Sequence, residues 1–273
     1  MAKDMTLAVK EDMKHDGHEI KVRKGNDLIQ HSRFNLTKEQ QKIVLYVLSQ
    51  IKPTDKDGRG YKFNLAEFCK VCGIDSSGDG TYRHLREALA GLTTNNDKGK
   101  VWLSLPDGGH TTFSWISEAY YNDRKNIAEI DLNRHVLPYL LELKNRYTEY
   151  ELIYTLHFRS KYTIRLYELI KSRHYHEMEE YKFSYTIDEL RHLLGAETYK
   201  EYRDFKRKAI EPATREINET SDIDVEWLES PPARRGVRVL SIEFTVRPKA
   251  AIDRMKIRDK VEQELGWDQI ALW

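Results

Sequence analysis

Apolar residues recur at about every fourth position along residues 205–218, FKRKAIEPATREIN. This spacing predicts a helix with one buried face, formed by Phe205, Ala209, Ile210, Ala213 and Ile217. The opposite face is then expected to carry Arg207, Lys208, Glu211, Thr214, Arg215 and Asn218. Pro212 lies inside the pattern, where a proline removes a backbone hydrogen bond and crowds the carbonyl four residues earlier. Because the apolar spacing continues, Pro212 is predicted to bend or stiffen this basic helix without ending it.

The same order of sequence blocks occurs twice in the chain. Each match alone is weak, but three matches in one order indicate an internal duplication. The matched pairs are VLYVLSQIK at 44–52 with RLYELIKSR at 165–173, YKFNLAEFCKVCG at 61–73 with YKFSYTIDELRHLLG at 181–195, and YRHLREAL at 82–89 with YRDFKRKAI at 202–210.

Both copies begin with the same predicted elements. A long amphipathic helix comes first, at about 37–51 in copy one and 160–173 in copy two, with Thr37 or Ser160 as its N-cap. An extended stretch and a short helix follow. This short helix ends at a glycine in both copies, Gly73 or Gly195, as helix C-termini often do.

The last two predicted elements of each copy are a basic helix and a β-hairpin. The basic helix covers about 81–92 in copy one and 200–219 in copy two. The hairpins are VWLSLPDGGHTTFSWI, with an Asp-Gly-Gly turn, and DIDVEWLESPPARRGVRVLSIEFTV. Helices followed by a basic helix and a hairpin are typical of a winged helix. We therefore predict an α+β fold with two tandem winged-helix domains related by internal duplication.

Cationic side chains are concentrated in the second copy. The net charge is only +1, yet Lys and Arg outnumber acids in 198–215 and in 231–249, and the segment 216–229 between them contains no Lys or Arg. A solvated face could explain one such block, but two blocks favour an outer helix face that enters a major groove beside a hairpin that reaches the backbone. The predicted DNA-binding residues are Arg203, Lys206, Arg207, Lys208 and Arg215 on the helix, Arg234, Arg235 and Arg238 on the hairpin tip, and Arg83 and Arg86 in the less cationic copy one.

Composition favours a globular protein of a reducing compartment. The chain is 40% hydrophobic and 33% charged, and it contains no apolar run near the length of a membrane span. Its N-terminus lacks the apolar region of a secretory signal. Two cysteines provide no disulfide framework. We therefore expect a cytoplasmic protein without membrane contact.

The CKVC motif at 69–72 has the spacing of a zinc or redox pair, but it has no second pair. The duplication aligns Cys72 with a core position, Leu194, and Cys69 with a surface position, Arg191. The motif is therefore interpreted as a buried small hydrophobe beside a free surface thiol. No metal and no cofactor are expected.

The HYH motif at 174–176 leaves an enzymatic alternative open. Two histidines around a bulky residue resemble the metal-binding pair of rolling-circle nicking enzymes, which use a tyrosine nucleophile. His174 and His176 would need a strand that projects both side chains to one side. Here they directly follow a predicted helix, and a histidine near a helix C-terminus suits the helix dipole. The pattern therefore favours a binding protein without catalysis.

Two segments of the second copy resemble one known family. SKYTIRLYELIKS at 160–172 and YKEYRDFKRKAIEPATREINETSDIDVEW at 199–227 are similar to the second winged helix of iteron-binding plasmid replication initiators. The Glu-Pro-Ala sequence around Pro212 is similar to the same family pattern. The resemblance spans roughly residues 27–249 and is weaker in copy one.

The resemblance implies a function that composition alone does not indicate. Members of such a family bind directly repeated double-stranded DNA sites, iterons, at a plasmid origin in bacteria, promote opening of the origin and recruit the host replication initiator and helicase. Their dimers bind an inverted operator and repress their own gene. A dedicated transcription repressor that initiates no replication remains an alternative.

The resemblance and the duplication together predict a division of the chain. Residues 1–26 are expected to be a flexible segment, and 27–135 a first winged-helix domain for dimerisation and DNA. Residues 136–249 are expected to be the second winged-helix domain and the main DNA reader. The tail, 250–273, is expected to be a helix that packs back on the domain through Trp267 and Trp273; a contact with a host protein is the other possibility.

Overall fold

The computed structural model describes residues 20–267 except Pro53, Ser77, Asp79, 94–98, Asp123, Glu142, 144–145, 175–178, Ala233 and Arg235. None of the helices in this part of the chain combines the length and the apolar character needed to cross a lipid bilayer.

The first copy combines short strands with amphipathic helices. Its elements, in chain order, are β1 (Lys21–Gly25), α1 (Asn26–His31), β2 (Ser32–Phe34), α2 (Lys38–Leu48), β3 (Tyr61–Asn64), α3 (Leu65–Val71), α4 (Thr81–Thr93), β4 (Lys100–Ser104), β5 (His110–Ser114), β6 (Ile116–Asn122), β7 (Ile127–Leu132) and a 3₁₀ turn (Leu137–Tyr139).

The second copy has the same helical order and ends with one additional helix. Its elements are β8 (Tyr147–Glu151), α5 (Leu152–His157), α6 (Lys161–Lys171), β9 (Tyr181–Thr186), α7 (Ile187–Leu193), α8 (Tyr202–Phe205), a π-helical turn (Lys206–Ile210), α9 (Glu211–Thr220), β10 (Ile223–Ser230), β11 (Ser241–Pro248) and α10 (Ala251–Leu265). We refer to the continuous helical run 202–220 as the basic helix.

The helix termini follow the local chemistry of the sequence. Thr37 caps α2 in a reciprocal capping box with Gln40, and the Ser160 hydroxyl accepts the Tyr162 N–H at the start of α6. Gly73 and Gly195 follow α3 and α7 with φ of +59° and +61°. Such φ values favour glycine. At Gly195 a Cβ atom would also lie only 2.8 Å from the carbonyl oxygen of Phe34 in the other copy.

The strand pairing corrects the sequence interpretation of the first hairpin. In copy two the sheet order is β10-β11-β9, and in copy one the corresponding order is β6-β7-β3. The β4–β5 hairpin forms as predicted around Asp107, Gly108 and Gly109, but it pairs with β2 instead. The wing of copy one is therefore β6–β7, and its expected assignment to β4–β5 was wrong because an extra hairpin is inserted between α4 and the wing.

The structural repeat starts earlier than the sequence blocks indicated. Each copy begins with a five-residue strand and a six-residue helix, β1–α1 and β8–α5. The two strands pair antiparallel, with Arg23 opposite Glu149. Residues 21–26, expected to be flexible, thus form β1 and the start of α1, because their backbone groups pair with β8.

A buried polar cluster joins the two copies. Lys24 of β1, Tyr150 of β8, and Arg165 and Glu168 of α6 are all buried. Arg165 donates to the carbonyl oxygens of Ile29 (2.6 Å) and Ser32 (2.7 Å) in copy one, and its Nε donates to the carbonyl oxygen of Leu193 in copy two (3.1 Å). Buried charges require this degree of pairing, so the cluster fixes how the copies meet.

The C-terminal helix α10 packs across both copies. Val261 and Leu265 are buried, and Trp267 Nε1 donates to the carbonyl oxygen of Val71 at 2.7 Å. His157 at the end of α5 contacts Glu264 at 2.6 Å. Trp273, the second expected anchor, lies outside the described residues.

Candidate nucleic-acid interface

The buried face of the basic helix is the one that the apolar spacing predicted. Phe205, Ala209, Ile210, Ala213 and Ile217 are each at most 1% exposed, and α9 packs on α6. Burying five apolar side chains fixes the orientation of the helix. The remaining side chains are therefore held toward solvent in a defined direction.

Two residues expected on the outer face instead join the helix to β10. Thr214 is buried, and its hydroxyl donates to the carbonyl oxygen of Ile210 at 3.0 Å and accepts from Trp227 Nε1 at 3.3 Å. Asn218 donates to and accepts from the backbone of Val225, at 2.9 and 2.7 Å. Placing Thr214 and Asn218 on the outer face was wrong because β10 packs against that edge of the helix and their side chains satisfy its polar groups.

The helix continues through Pro212 because a π-helical turn precedes it. The N–H of Glu211 donates to the carbonyl oxygen of Lys206, five residues earlier. This wider turn, over Lys206–Ile210, accommodates the proline, which has no N–H and crowds an ordinary α-helical turn. Pro212 is exposed near the start of α9.

Four of the predicted cations project from the outer face of the basic helix. Arg203, Arg207, Lys208 and Arg215 are exposed. Arg207 and Lys208 lie 3.3 and 3.9 Å from Asp204 Oδ1. Exposed pairs of this kind contribute little, so phosphate groups can compete with Asp204 for both cations.

Lys206 differs from its neighbours because it points toward the hairpin. Its Nζ lies 2.8 Å from Glu229 Oε1 and 5.2 Å from the ring centre of Trp227. The Tyr202 hydroxyl donates to the same carboxylate oxygen at 2.6 Å. Lys206 therefore links the basic helix to β10, and its charge is partly neutralised by Glu229.

The second hairpin places further arginines beside the helix. The loop between β10 and β11, residues 231–240, carries exposed Arg234 and Arg238; the Arg238 side chain is 79% exposed and lies 3.7 Å from Asp188. Gly236 allows the loop to turn with φ +81°. Arg235 lies outside the described residues.

The position of β10 also depends on an acidic residue that the sequence did not single out. Asp222 precedes β10 and accepts from Tyr167 (2.7 Å) and Lys171 (2.7 Å) of α6. Burial alone would raise the pKa of Asp222, but the Lys171 ammonium and the Tyr167 hydroxyl outweigh burial and lower the pKa. The carboxylate thus holds the start of the hairpin against α6.

The helix of copy one offers fewer cations. Leu85, Leu89 and Leu92 are buried as predicted. Arg83 is exposed, with Glu87 at 4.0 Å, while Arg86 is half-buried and donates through Nε to the carbonyl oxygen of Tyr82 at 3.2 Å. Arg83 is therefore the better placed of the two for a contact with DNA.

Two candidate residues were missed by the sequence interpretation. Arg124 and Lys125 are exposed at the tip of the β6–β7 hairpin, which is the wing of copy one. The polar run NDRKN at 122–126, between the alternating segments ISEAYYN and IAEIDL, is the pattern that could have identified them. The stronger turn signal, Asp-Gly-Gly, belongs to the other hairpin and led to the wrong assignment.

The motifs that suggested other chemistry have structural explanations where they are described. Cys69 and Cys72 are both buried, and burial raises the pKa of both thiols. Placing Cys69 at the surface was wrong, since α3 turns it into the core at a position where copy two carries an arginine. His174 lies in the turn after α6 with its ring 5.1 Å from Tyr181; His176 lies outside the described residues. Among the described residues, no three His, Cys, Asp or Glu side chains are grouped to hold a metal ion.

Each copy thus presents a helix on a three-stranded sheet whose hairpin forms a wing, and this arrangement defines a tandem winged-helix protein. Residues 21–171 match the family model described as Initiator Replication protein, WH1, and residues 186–246 match Initiator Rep protein, WH2. The chain belongs to this family of replication initiators.

Individual relatives and a solved structure agree with the family assignment. The chain is 26% identical over 211 residues to a Replication initiation protein of Escherichia coli, covering 75% of this chain but 64% of that relative. It is 24% identical over 259 residues to the PI protein of Escherichia coli, covering 83% of each. The fold is similar to a crystal structure of Pi initiator protein in complex with iteron DNA, with a TM-score of 0.67, 18% identity, and coverage of 85% of this chain and 98% of that one.

Proposed function

We propose that this protein is a plasmid replication initiator that binds directly repeated double-stranded DNA sites, iterons, at the plasmid origin. The observation that carries the proposal is the basic helix, whose Arg203, Arg207, Lys208 and Arg215 are exposed above a fully buried apolar face. The family assignment and the similarity to an initiator whose structure includes iteron DNA support the same ligand.

The geometry accounts for how such a surface recognises DNA. A major groove is wide enough for a helix, and the outer face of the basic helix supplies cations for phosphates and base edges. Arg234, Arg235 and Arg238 on the second wing reach the adjacent backbone or minor groove. Copy one adds Arg83, with Arg86 as a weaker contributor, and Arg124 and Lys125 on its wing. The second copy is the main DNA reader because its helix presents more exposed cations.

The proposal extends to events beyond DNA binding. The protein promotes opening of the origin and recruits the host replication initiator and helicase, acting in the bacterial cytoplasm by binding alone and without catalysis. As a dimer, joined through the first domain, it binds an operator and represses its own gene. The two functional units are 27–135, with β1 added, and 136–249, followed by the C-terminal tail.

A monomer should span two successive major grooves, since each copy presents its own helix. Grooves on one face of DNA are about 34–36 Å apart, so footprinting should show a protected direct repeat of about twenty base pairs. Inserting about five base pairs between the halves should abolish tight monomer binding, because it rotates the halves to opposite faces of the duplex. Unchanged affinity after the insertion would contradict joint binding by the two copies.

Charge substitutions provide the direct test of the surface. Neutralising Arg207 and Lys208 together should weaken binding to all sequences and reduce the salt slope by about one unit for each phosphate interaction that is removed. The matched control neutralises Lys256 and Lys260, which are exposed on α10 and are not part of the basic helix, and should leave the slope unchanged. Equal effects of the two pairs would show that the helix is only a solvated face.

Incubating the protein with supercoiled plasmid and Mg²⁺ should produce no nicking; metal-dependent nicking would support the enzymatic alternative.

A further inference from the structure

The second wing exposes apolar side chains as well as arginines. Leu228 is 69% exposed, Leu240 59% and Val237 43%. In the described part of the chain, the other exposed large aliphatic side chains are Ile252 and Met255 on α10. We refer to Leu228, Val237 and Leu240 as the wing patch. Its concentration on one hairpin indicates a partner with apolar surface.

The position of the wing patch relates it to the DNA-facing surface. Leu228 lines an open groove between α9 and β10 together with Arg215 and the helix residues Glu211 and Asn218. From there the hairpin continues into the loop 231–240, where Leu240 N donates to the carbonyl oxygen of Ser230 at 3.0 Å. Leu228 therefore lies beside the basic helix, and Val237 and Leu240 lie in the loop at the tip of the wing.

Charge identifies the kind of partner. Arg234 and Arg238 are exposed in the same loop as Val237 and Leu240. A partner that offers anions and apolar faces side by side would satisfy both sets of groups. DNA does so, since phosphates line its grooves and the faces of the stacked bases are apolar once a base step is opened. Proteins that bind the minor groove combine cationic contacts with leucine, isoleucine or proline wedges in this way.

We propose that the second wing enters the minor groove and inserts its apolar patch at a base step, which partly unstacks and bends the duplex at the edge of each repeat. This inference rests on the proposed function and adds a mode of contact to it. The arginines hold the wing on the backbone, while Leu228, Val237 and Leu240 replace the base stacking that is given up at the opened step. A flexible pyrimidine–purine step at that position makes the distortion less costly.

The mode of contact has a signature in the salt dependence of binding. Apolar contacts release no counterions, so removing them should weaken binding equally at all salt concentrations. Replacing Leu228 and Leu240 with alanine should therefore reduce affinity by about tenfold, the order expected for lost burial of aliphatic groups, without changing the salt slope. Replacing Arg234 and Arg238 with alanine should reduce the slope by about one unit each. The two classes of variant are thereby separated on the same hairpin.

The experiment uses the full chain and a duplex carrying a directly repeated site selected by its binding to the protein, with 2-aminopurine placed in turn at the steps along the repeat edge. Wild-type protein should raise the fluorescence of one such base, because unstacking relieves its quenching. The Leu228→Ala/Leu240→Ala variant should lose this increase, and the control Ile252→Ala/Met255→Ala should retain it. Circular dichroism checks that the variants are folded, as expected for exposed positions.

The outcomes separate this inference from the proposal beneath it. Tight binding of the repeat by the leucine variant, with wild-type fluorescence, overturns the wedge while leaving iteron binding intact, and then assigns the patch to a protein partner. A loss of affinity that disappears at high salt overturns it as well, because the leucines would act through nearby charges. A wild-type chain that binds no repeat DNA overturns the proposed function, and the wedge with it.

Discussion

Lys24 and Glu168 form an ion pair between the two copies, with Nζ of the lysine 2.5 Å from Oε1 of the glutamate. Their side chains are 4% and 2% exposed. Glu168 also accepts from the Tyr150 hydroxyl at 2.5 Å and lies 3.6 Å from the Arg165 guanidinium. A carboxylate with these partners stays charged in the interior, so the loss of Lys24 leaves a buried charge that is only partly balanced.

Replacing Lys24 with methionine should lower the free energy of unfolding by about 3–5 kcal/mol, the cost of removing one member of a buried pair. Urea denaturation measures the change. The double variant Lys24→Met/Glu168→Met should recover only part of this free energy, since it removes the unbalanced carboxylate but leaves the buried Arg165 guanidinium without it. Lys21→Met, which removes a more exposed pair with Glu149 at 3.0 Å, serves as control and should cost at most about 1 kcal/mol. Equal effects at the two lysines would contradict this account.

Stability should depend on pH through Asp222. Its pKa is lowered in the folded chain because Lys171 and Tyr167 outweigh burial, so the carboxylate adds stability above about pH 3.9, its pKa when unfolded. That stability is lost as the pH falls through the lower folded-state pKa. The Asp222→Asn variant should therefore be less stable than wild type at neutral pH and should lose less stability between about pH 5 and pH 1.

Urea denaturation over this pH range measures the difference. Asp224→Asn, at an exposed position two residues along β10, is the matched control and should follow the wild-type pH profile. Parallel profiles for wild type and Asp222→Asn would show that the carboxylate contributes no pH-dependent stability.

Pro212 should determine the angle about the helix axis between the cations at the two ends of the basic helix. Replacing it with alanine restores an N–H and allows the π-helical turn to become α-helical, where each residue adds about 100° of rotation. Arg203 would then rotate relative to Arg215. DNA affinity should fall, while the free energy of unfolding should not, because alanine is the better helix former. Hydrogen exchange at 206–212 reports the turn, and Pro248→Ala at the end of β11 is the control. Unchanged affinity with an altered exchange pattern would separate the turn from DNA binding.

Glu229 should restrain DNA binding by neutralising Lys206. In the wild-type chain the Lys206 ammonium lies 2.8 Å from the Glu229 carboxylate. In the Glu229→Gln variant this ammonium becomes available for a phosphate. Affinity should rise and the salt slope should steepen by up to about one unit. Glu243→Gln, an exposed position on β11, measures the general effect of removing one negative charge. If both variants give the same slope, the Lys206–Glu229 pair has no specific role.

The wing of copy one should contribute to affinity through its tip. Replacing Arg124 and Lys125 with alanine should reduce the salt slope by about one unit for each phosphate interaction and remove protection at one edge of the footprint. The hairpin β4–β5 supplies the control: His110→Ala and Thr112→Ala, on the strand predicted from sequence to form the wing, should leave the footprint unchanged. A reversed result would identify β4–β5 as the hairpin that meets DNA.

Local patterns predicted the helices well and the strand pairing of copy one poorly. Three features depend only on neighbouring residues and could therefore be predicted from the sequence. They are the apolar spacing through Phe205 and Ile217, the caps at Thr37 and Ser160, and the glycines after α3 and α7. Which hairpin pairs with β3 depends on contacts between residues far apart in the chain. The position of Lys24 in the interior is likewise decided by Glu168, which no local pattern connects to it.

The same distinction applies to the interface. Exposed cations such as Arg207 follow from helical phase, and these were predicted. Thr214 and Asn218 face solvent in a simple helical projection, but β10 covers them. The partial neutralisation of Lys206 depends on Glu229, which lies near Lys206 only when the hairpin packs against the basic helix. Spacing thus identified the basic helix, while tertiary contacts determine which of its cations are available.

The pairing of β1 with β8 and the insertion of Arg165 into copy one make the distance between the two helices a property of the protein. With this separation fixed, side-chain changes on either helix can change the base sequence that is bound, but the repeat length cannot change. If the protein binds directly repeated DNA as proposed, the base sequence of the repeats can therefore change while their period stays constant.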